Sequence, residues 1–273
     1  MTERLAKRIA RAGMCSRRDA EKWIEAGRVR VDGELITTPA FNVTEASQIL
    51  IDGQPLSAPP RQRIWLYYKP VGLVTTHKDP QGRLTVFEAL KDKLPRVVSV
   101  GRLDLNSEGL LILTNDGAYA REAELPSNQW PRTYRVRVFG FVNEEALDRL
   151  KQGIVVEGVR YGAIQAELTR VTGRNAWLLM TIHEGKNREI RKVLNHLDLQ
   201  VNRLIRVSYG PFELGDMEPG DIKEITLSEA QPKLKKSWES SKQNTRKPKV
   251  PGKPSSTLKL GAKTQRRRTN DKS

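Results

Sequence analysis

The chain has 273 residues, 37% of them hydrophobic and 29% charged, a composition that suits soluble globular domains. Its net charge of +16 points to a polyanionic partner, but the 14 Lys+Arg between Pro232 and Ser273 face only Glu239 and Asp271. That segment therefore carries +12. The other 231 residues, with 34 basic and 30 acidic side chains, carry only +4, so basic residues there must be clustered if they bind nucleic acid.

No apolar run approaches the roughly 20 residues that span a bilayer, and the start Met1-Thr-Glu-Arg-Leu lacks the apolar segment of a signal peptide. The expected setting is cytoplasmic, with no membrane partner. Cys15 is the only cysteine, which excludes an internal disulfide and a cysteine metal cluster, and it reads as a small buried hydrophobe.

Residues 1–60 read as a module of two helices and two short hairpin-like pieces. Leu5, Ile9 and Ala12 share one helical face, and Gly13 ends that helix. Ser16 and Asp19 have the spacing of a capping box, followed by a buried stripe of Ala20, Trp23 and Ile24 and a stop at Gly27. Val29 and Val31 alternate before an Asp32-Gly33 turn, as Ile49 and Ile51 do before Asp52-Gly53. The polar faces carry Arg4, Lys7, Arg8, Arg11, Arg17, Arg18 and Lys22, opposed within residues 4–22 only by Asp19 and Glu21. A solvated charged face is one reading of that pattern; an RNA-binding face is the other.

The run Gly13-Met-Cys-Ser-Arg-Arg-Asp-Ala-Glu-Lys-Trp-Ile-Glu-Ala-Gly-Arg-Val-Arg-Val-Asp-Gly33 resembles the S4 RNA-binding domain. The resemblance implies RNA contact through the seven basic residues named above.

Ala58-Pro-Pro-Arg-Gln-Arg63 reads as a linker, because its prolines block both helix and ladder. A second domain then spans residues 64–231. Its pattern predicts strands at 64–68, 97–100, 110–113, 134–140, 163–170, 176–182, 201–209 and 222–226, and helices at 85–91, 117–124, 143–151 and 187–198. Strands outnumber helices and seldom alternate with them, which favours an α+β domain on a mainly antiparallel or mixed sheet with flanking helices. Residues 232–273, rich in Lys, Arg, Pro, Ser and Thr, read as a disordered basic tail able to bind phosphates non-specifically.

Familiar enzyme signals are mostly absent. There is no P-loop, dinucleotide fingerprint or nucleophile elbow. His77, His183 and His196 have no ligand-like spacing, so neither a metal nor a cofactor is expected. What stands out is Val100-Gly-Arg-Leu-Asp-Leu-Asn-Ser-Glu-Gly109, a loop between apolar segments. Asp104 lies between Leu103 and Leu105, where water access is expected to be limited. A carboxylate so placed either caps the loop by accepting backbone N–H bonds or has a charged partner. On the predicted helix 187–198, Ile190, Val193, Leu194 and Leu197 form one stripe. Arg188, Arg191, Lys192 and Asn195 form the other.

Four blocks carry a second resemblance: Tyr67-Tyr-Lys-Pro through Val86, Gly101-Arg-Leu-Asp104 through Gly117, Arg132-Thr-Tyr134, and Glu184-Gly-Lys-Asn-Arg-Glu-Ile-Arg191-Lys with Arg203-Leu-Ile-Arg-Val. In that order they resemble the RsuA/RluB/RluE/RluF family of pseudouridine synthases, over about Arg4 to Leu227. The resemblance implies that Asp104 is the nucleophile, attacking uridine at C6 or C1′, and that Arg191 pairs with it. It implies that Tyr134 stacks on the flipped base and that Leu204 walls the uracil pocket. Arg102, Arg188 and Lys192 would contact RNA. The S4 module argues against the RluE branch, and the run Tyr134-Arg-Val-Arg-Val-Phe-Gly-x-Val with the basic tail resembles the RluB branch, which favours 23S ribosomal RNA as the target; a monomer is expected. A 16S target, as in the RsuA branch, and a non-catalytic role in ribosome assembly are the alternatives.

Overall fold

The computed structural model describes residues 2–226. The predicted disordered tail at 232–273 lies outside the described residues, as does the expected end of the second domain at 231. No helix among the described residues is long and apolar enough to cross a membrane.

The N-terminal residues form β1 (Glu3–Arg4), α1 (Leu5–Arg11), α2 (Arg17–Glu25), β2 (Val29–Val31), β3 (Glu34–Ile36), β4 (Asn42–Val43), β5 (Ile49–Ile51) and β6 (Gln54–Pro55). The order β3-β2-β5-β6 makes a small sheet, and β1 pairs with β4. Leu5, Ile9, Ala20, Ile24, Val29, Val31, Ile49 and Ile51 form one core with Cys15. Both turns expected from Asp-Gly have positive φ at each residue: 51° and 89° at Asp32-Gly33, 50° and 78° at Asp52-Gly53.

Ser16 caps α2 by accepting from the Asp19 N–H at 3.1 Å, and the Asp19 carboxylate reaches back to Ser16, accepting from its hydroxyl at 2.5 Å and drawn to its backbone N–H, as the capping-box spacing predicts. Thr85 and Glu88 form a second capping box at the start of the helix that follows. The expected buried stripe is corrected at Trp23, which is only half-buried at the edge of the core, its ring covered by the Arg28 guanidinium at 4.9 Å.

The rest of the chain builds β7 (Ile64–Lys69), α3 (Val86–Leu90), β8 (Val98–Val100), β9 (Glu108–Thr114), α4 (Gly117–Glu124), β10 (Arg132–Phe139) and α5 (Glu144–Arg149). These are followed by β11 (Ile154–Val156), β12 (Val159–Tyr161), β13 (Gln165–Thr172), β14 (Asn175–Ile182), α6 (Glu189–His196), β15 (Gln200–Tyr209), β16 (Phe212–Glu213) and β17 (Ile222–Ile225). The main sheet runs β13-β14-β10-β15-β9-β7-β17, with β8 on β9 and β16 on β15. Its pairs are antiparallel except β15 with β9, which meet in parallel over Ile205↔Glu108 and Arg206↔Gly109. The mixed α+β architecture is as predicted.

Both faces of the sheet centre are covered, so β7 and β9 are buried at every residue and read as continuous apolar runs. One face packs Trp65, Tyr67, Leu111 and Val136 against Val86 and Leu90 of α3, Leu147 of α5 and Ile190, Val193 and Leu194 of α6. The other packs Ile64, Leu110 and Ile112 against Ala120 and Ala123 of α4 and against Trp130 and Phe212.

Candidate active site

The segment Gly101–Ser107 joins β8 to β9 and is held almost residue by residue. Gly101 N donates to Glu124 Oε1 at 2.5 Å, and Thr75 Oγ1 donates to the Leu103 carbonyl at 2.9 Å. The Leu105 carbonyl accepts from Gly72 N at 2.9 Å, the Asn106 carbonyl from Arg191 Nη2 at 2.8 Å. Ser107 N closes a turn onto the Asp104 carbonyl at 3.0 Å.

Lys69 supplies the floor. It is 0% exposed, and its ammonium donates to the carbonyls of Pro70 (2.9 Å), Asp104 (3.2 Å) and Ser107 (2.8 Å). Those three acceptors match the three donors of –NH₃⁺. Burial pushes its pKa down to about 8, opposed by the nearby carboxylates of Asp104 and Glu108, so the group is charged at neutral pH. Sequence reasoning assigned Lys69 no role, because the carbonyls it holds are brought together only by the fold.

The loop's own hydrogen bonds therefore run through backbone groups and through Thr75, Lys69, Glu124 and Arg191. Among the described residues no backbone N–H donates to the Asp104 carboxylate, so it does not cap the loop. It faces a cleft of about 580 Å³ lined also by Arg102, Tyr134, Arg188, Arg191, Leu204 and Arg206. Seven Arg or Lys line this cleft against Asp104, Glu124 and Glu189, which is the basic clustering that a near-neutral body needs to hold RNA.

The expected limited water access is corrected, since the Asp104 side chain is 38% exposed. Its partner also differs from expectation: Arg188 Nη1 lies 3.6 Å from Asp104 Oδ2, and no comparably close pair with Arg191 is present among the described residues. Arg191 spends its donors on the carbonyls of Asn106 and, at 3.3 Å, Val201. Its charge is disfavoured by burial and then by Arg188, and favoured by Asp104. The reason lies in the backbone. Arg188 precedes α6 in a left-handed conformation (φ 50°, ψ 33°) instead of riding on it, and this turns its side chain to the cleft. The predicted helix 187–198 thus begins at Glu189.

Tyr134 is buried on β10 beside Arg206 of β15, and Leu204 sits opposite Val136. Arg102 is exposed at the cleft. Lys192 lies in a neighbouring depression of about 360 Å³ that shares Arg188 and Arg191 with the cleft.

The basic residues of the N-terminal module are elsewhere. Arg8 and Arg11 pair with Glu3, and Arg17 pairs with Glu21. Arg4 donates to the Ala40 carbonyl. Lys7, Arg11 and Arg17 line a seam whose far wall includes Arg96 and Arg121, while Arg18 and Lys22 are exposed. Among the described residues no group of three or more His, Cys, Asp or Glu is placed to hold a metal ion.

The geometry sets a test of the two arginines. Arg191→Lys and Arg191→Met should both slow single-turnover chemistry by about ten- to a hundredfold, because one ammonium cannot span the two carbonyls. Arg188→Lys should keep most of the rate, and Arg188→Met should not. An Arg188→Met rate equal to the parent's would return the role of counter-charge to Arg191.

Residues 63–196 match the RNA pseudouridylate synthase family and residues 3–56 the S4 domain. An uncharacterised RNA pseudouridine synthase of Rickettsia typhi (strain ATCC VR-144 / Wilmington) is 48% identical over 223 residues, covering 82% of this chain and 91% of the relative. The ribosomal large subunit pseudouridine synthase B of Salmonella typhi is 43% identical over 220 residues, covering 78% and 76%. A crystal structure of a pseudouridylate synthase superposes with a TM-score of 0.59 at 26% identity, covering 85% of this chain and 99% of that one.

Proposed function

The chain belongs to the RNA pseudouridine synthase family, and we propose that it isomerises one uridine of large-subunit (23S) ribosomal RNA with Asp104 as nucleophile. The observation that carries this reading is the Asp104 carboxylate, free of any task in its own loop and held beside a cation at the cleft. The relative named as acting on the large subunit supports the choice of RNA.

In this reading residues 1–60 dock on RNA, and residues 64–231 receive a uridine flipped from its stack. Asp104 attacks at C6 or C1′, the N1–C1′ bond breaks, the uracil turns, and a C5–C1′ bond forms as the bond to Asp104 breaks and its carboxylate is released. A proton leaves C5 and N1 gains one, so product and substrate are isomers and no cofactor is consumed. Tyr134 and Leu204 flank the base. Arg188 stands 3.6 Å from the Asp104 carboxylate as its counter-charge, and Arg191 holds the loop that aims it. Arg102, Lys192 and the basic residues of α1 and α2 contact the RNA backbone. The enzyme acts as a monomer in the cytoplasm.

The test is incubation of purified protein with unmodified transcripts of both ribosomal RNAs, read by carbodiimide modification and primer extension. One new stop in the large-subunit RNA is expected. A stop only in the small-subunit RNA would move the target, and binding without any stop would make the protein a scaffold. Removing residues 233–273 should weaken affinity mainly at low salt, with a shallower slope against log salt concentration and no change in the site modified. A slope equal to the parent's would deny the tail a part in binding.

A further inference from the structure

The loop that delivers Arg188 to Asp104 rests on a pair of acids. Glu189 is 3% exposed, opens α6 and lines the cleft. Its Oε2 accepts from Lys186 N at 3.1 Å, while Oε1 is buried with no donor facing it. What stands beside it is another carboxylate, Glu184, at the end of the loop nearer β14. Glu184 accepts from Gly162 N at 2.7 Å and pairs with Lys186 Nζ at 2.8 Å. Lys186 Nζ also donates to the Arg160 carbonyl at 2.5 Å, above the Tyr161 ring. From β10, the Arg132 guanidinium lies against Gly185. The network thus ties the loop to the end of the β11–β12 hairpin. Only the contact between the two acids lacks a hydrogen, and two adjacent carboxylates, one of them buried, are held together by sharing one.

We propose that Glu184 and Glu189 share a single proton that locks residues 185–188, so that Glu189 is a positioning residue aiming Arg188 at Asp104. The inference rests on the catalytic reading above. Burial, and then the charge of Glu184, push Glu189 up to about 7, while its hydrogen bond from Lys186 N and the Lys186 charge act the other way. Folding of the loop is therefore favoured while the pair keeps its proton. The lock is fully present below the ordinary glutamate value of 4.5 and is lost as pH rises from there through about 7, above which both groups are anionic and repel.

Glu189→Gln separates this from a merely structural role, because its amide donates to Glu184 at every pH and still accepts from Lys186 N. The parent's kcat should fall several-fold from about pH 5.5 to about pH 7.5, below the range in which Lys69 loses its charge, and Glu189→Gln should lose that decline. Glu189→Ala should be slower throughout by about ten- to a hundredfold, with Glu189→Gln restoring most of the loss. A Glu189→Gln profile that declines like the parent's would overturn the proposal.

Hydrogen exchange at the Lys186 amide gives a readout that needs no activity. Its protection factor should drop with rising pH in the parent and stay level in Glu189→Gln. Equal behaviour of the two proteins would overturn the acid pair even if no uridine were isomerised. An inactive parent with the expected exchange pattern would instead refute the catalytic reading alone.

Discussion

Asp104→Asn is expected to lower uridine isomerisation by at least about 10³-fold, roughly 4 kcal/mol of barrier, while RNA affinity stays near the parent's. The amide is almost isosteric but neither charged nor nucleophilic. The loop should not notice the change, since its hydrogen bonds run through the Asp104 carbonyl and not the carboxylate. The nearby cation Arg188 would lose its partner, but both side chains are substantially exposed and water can replace the contact. Single-turnover rates and filter-binding affinities on the same RNA fragment check this. A rate within about tenfold of the parent's, only ~1.4 kcal/mol, would remove Asp104 from the nucleophile's role.

Gly109→Ala should be the most damaging small substitution to the fold. Gly109 has φ +98°, and an added Cβ would fall 2.4 Å from the Arg206 carbonyl oxygen and 2.8 Å from its nitrogen. Both obstacles are backbone and cannot rotate away. The clash sits at the parallel pair Arg206↔Gly109, where β15 and β9 join the two halves of the main sheet. Left-handed strain of about 1–2 kcal/mol and overpacking of about 1–3 kcal/mol together suggest a loss of about 2–5 kcal/mol. That corresponds to a fall in Tm of roughly 10 °C for a body of this size. The site should suffer too, because Glu108 and Arg203, bonded at 2.6 and 3.0 Å, bridge the same two strands. A Tm within about 2 °C of the parent's would mean the strands can part cheaply.

Periodic and punctuated elements were readable in the residues. α4 has the expected bounds, Gly117–Glu124, because Asp116 caps it and its apolar face is regular. The β11–β12 hairpin escaped notice because three-residue strands are too short to display alternation. Its turn, Glu157-Gly158 at φ 50° and 76°, also lacks the usual Asn or Asp. The motif blocks carried Asp104, Tyr134, Arg188 and Arg191 into one cleft. They did not carry which arginine meets the carboxylate, since that depends on one left-handed residue before α6. Lys69 and Glu189 were hidden for a related reason. The partners that make them meaningful, the carbonyls of residues 104 and 107 and the carboxylate of Glu184, are assembled only by the fold.

The most direct test of the central claim uses ribosomal RNA from cells that lack this protein, mapped by carbodiimide modification and primer extension. One pseudouridine stop in the large-subunit RNA should vanish, return with the parent chain and stay absent with Asp104→Asn. An unchanged pattern of stops in the deletion, or full restoration by Asp104→Asn, would contradict the account.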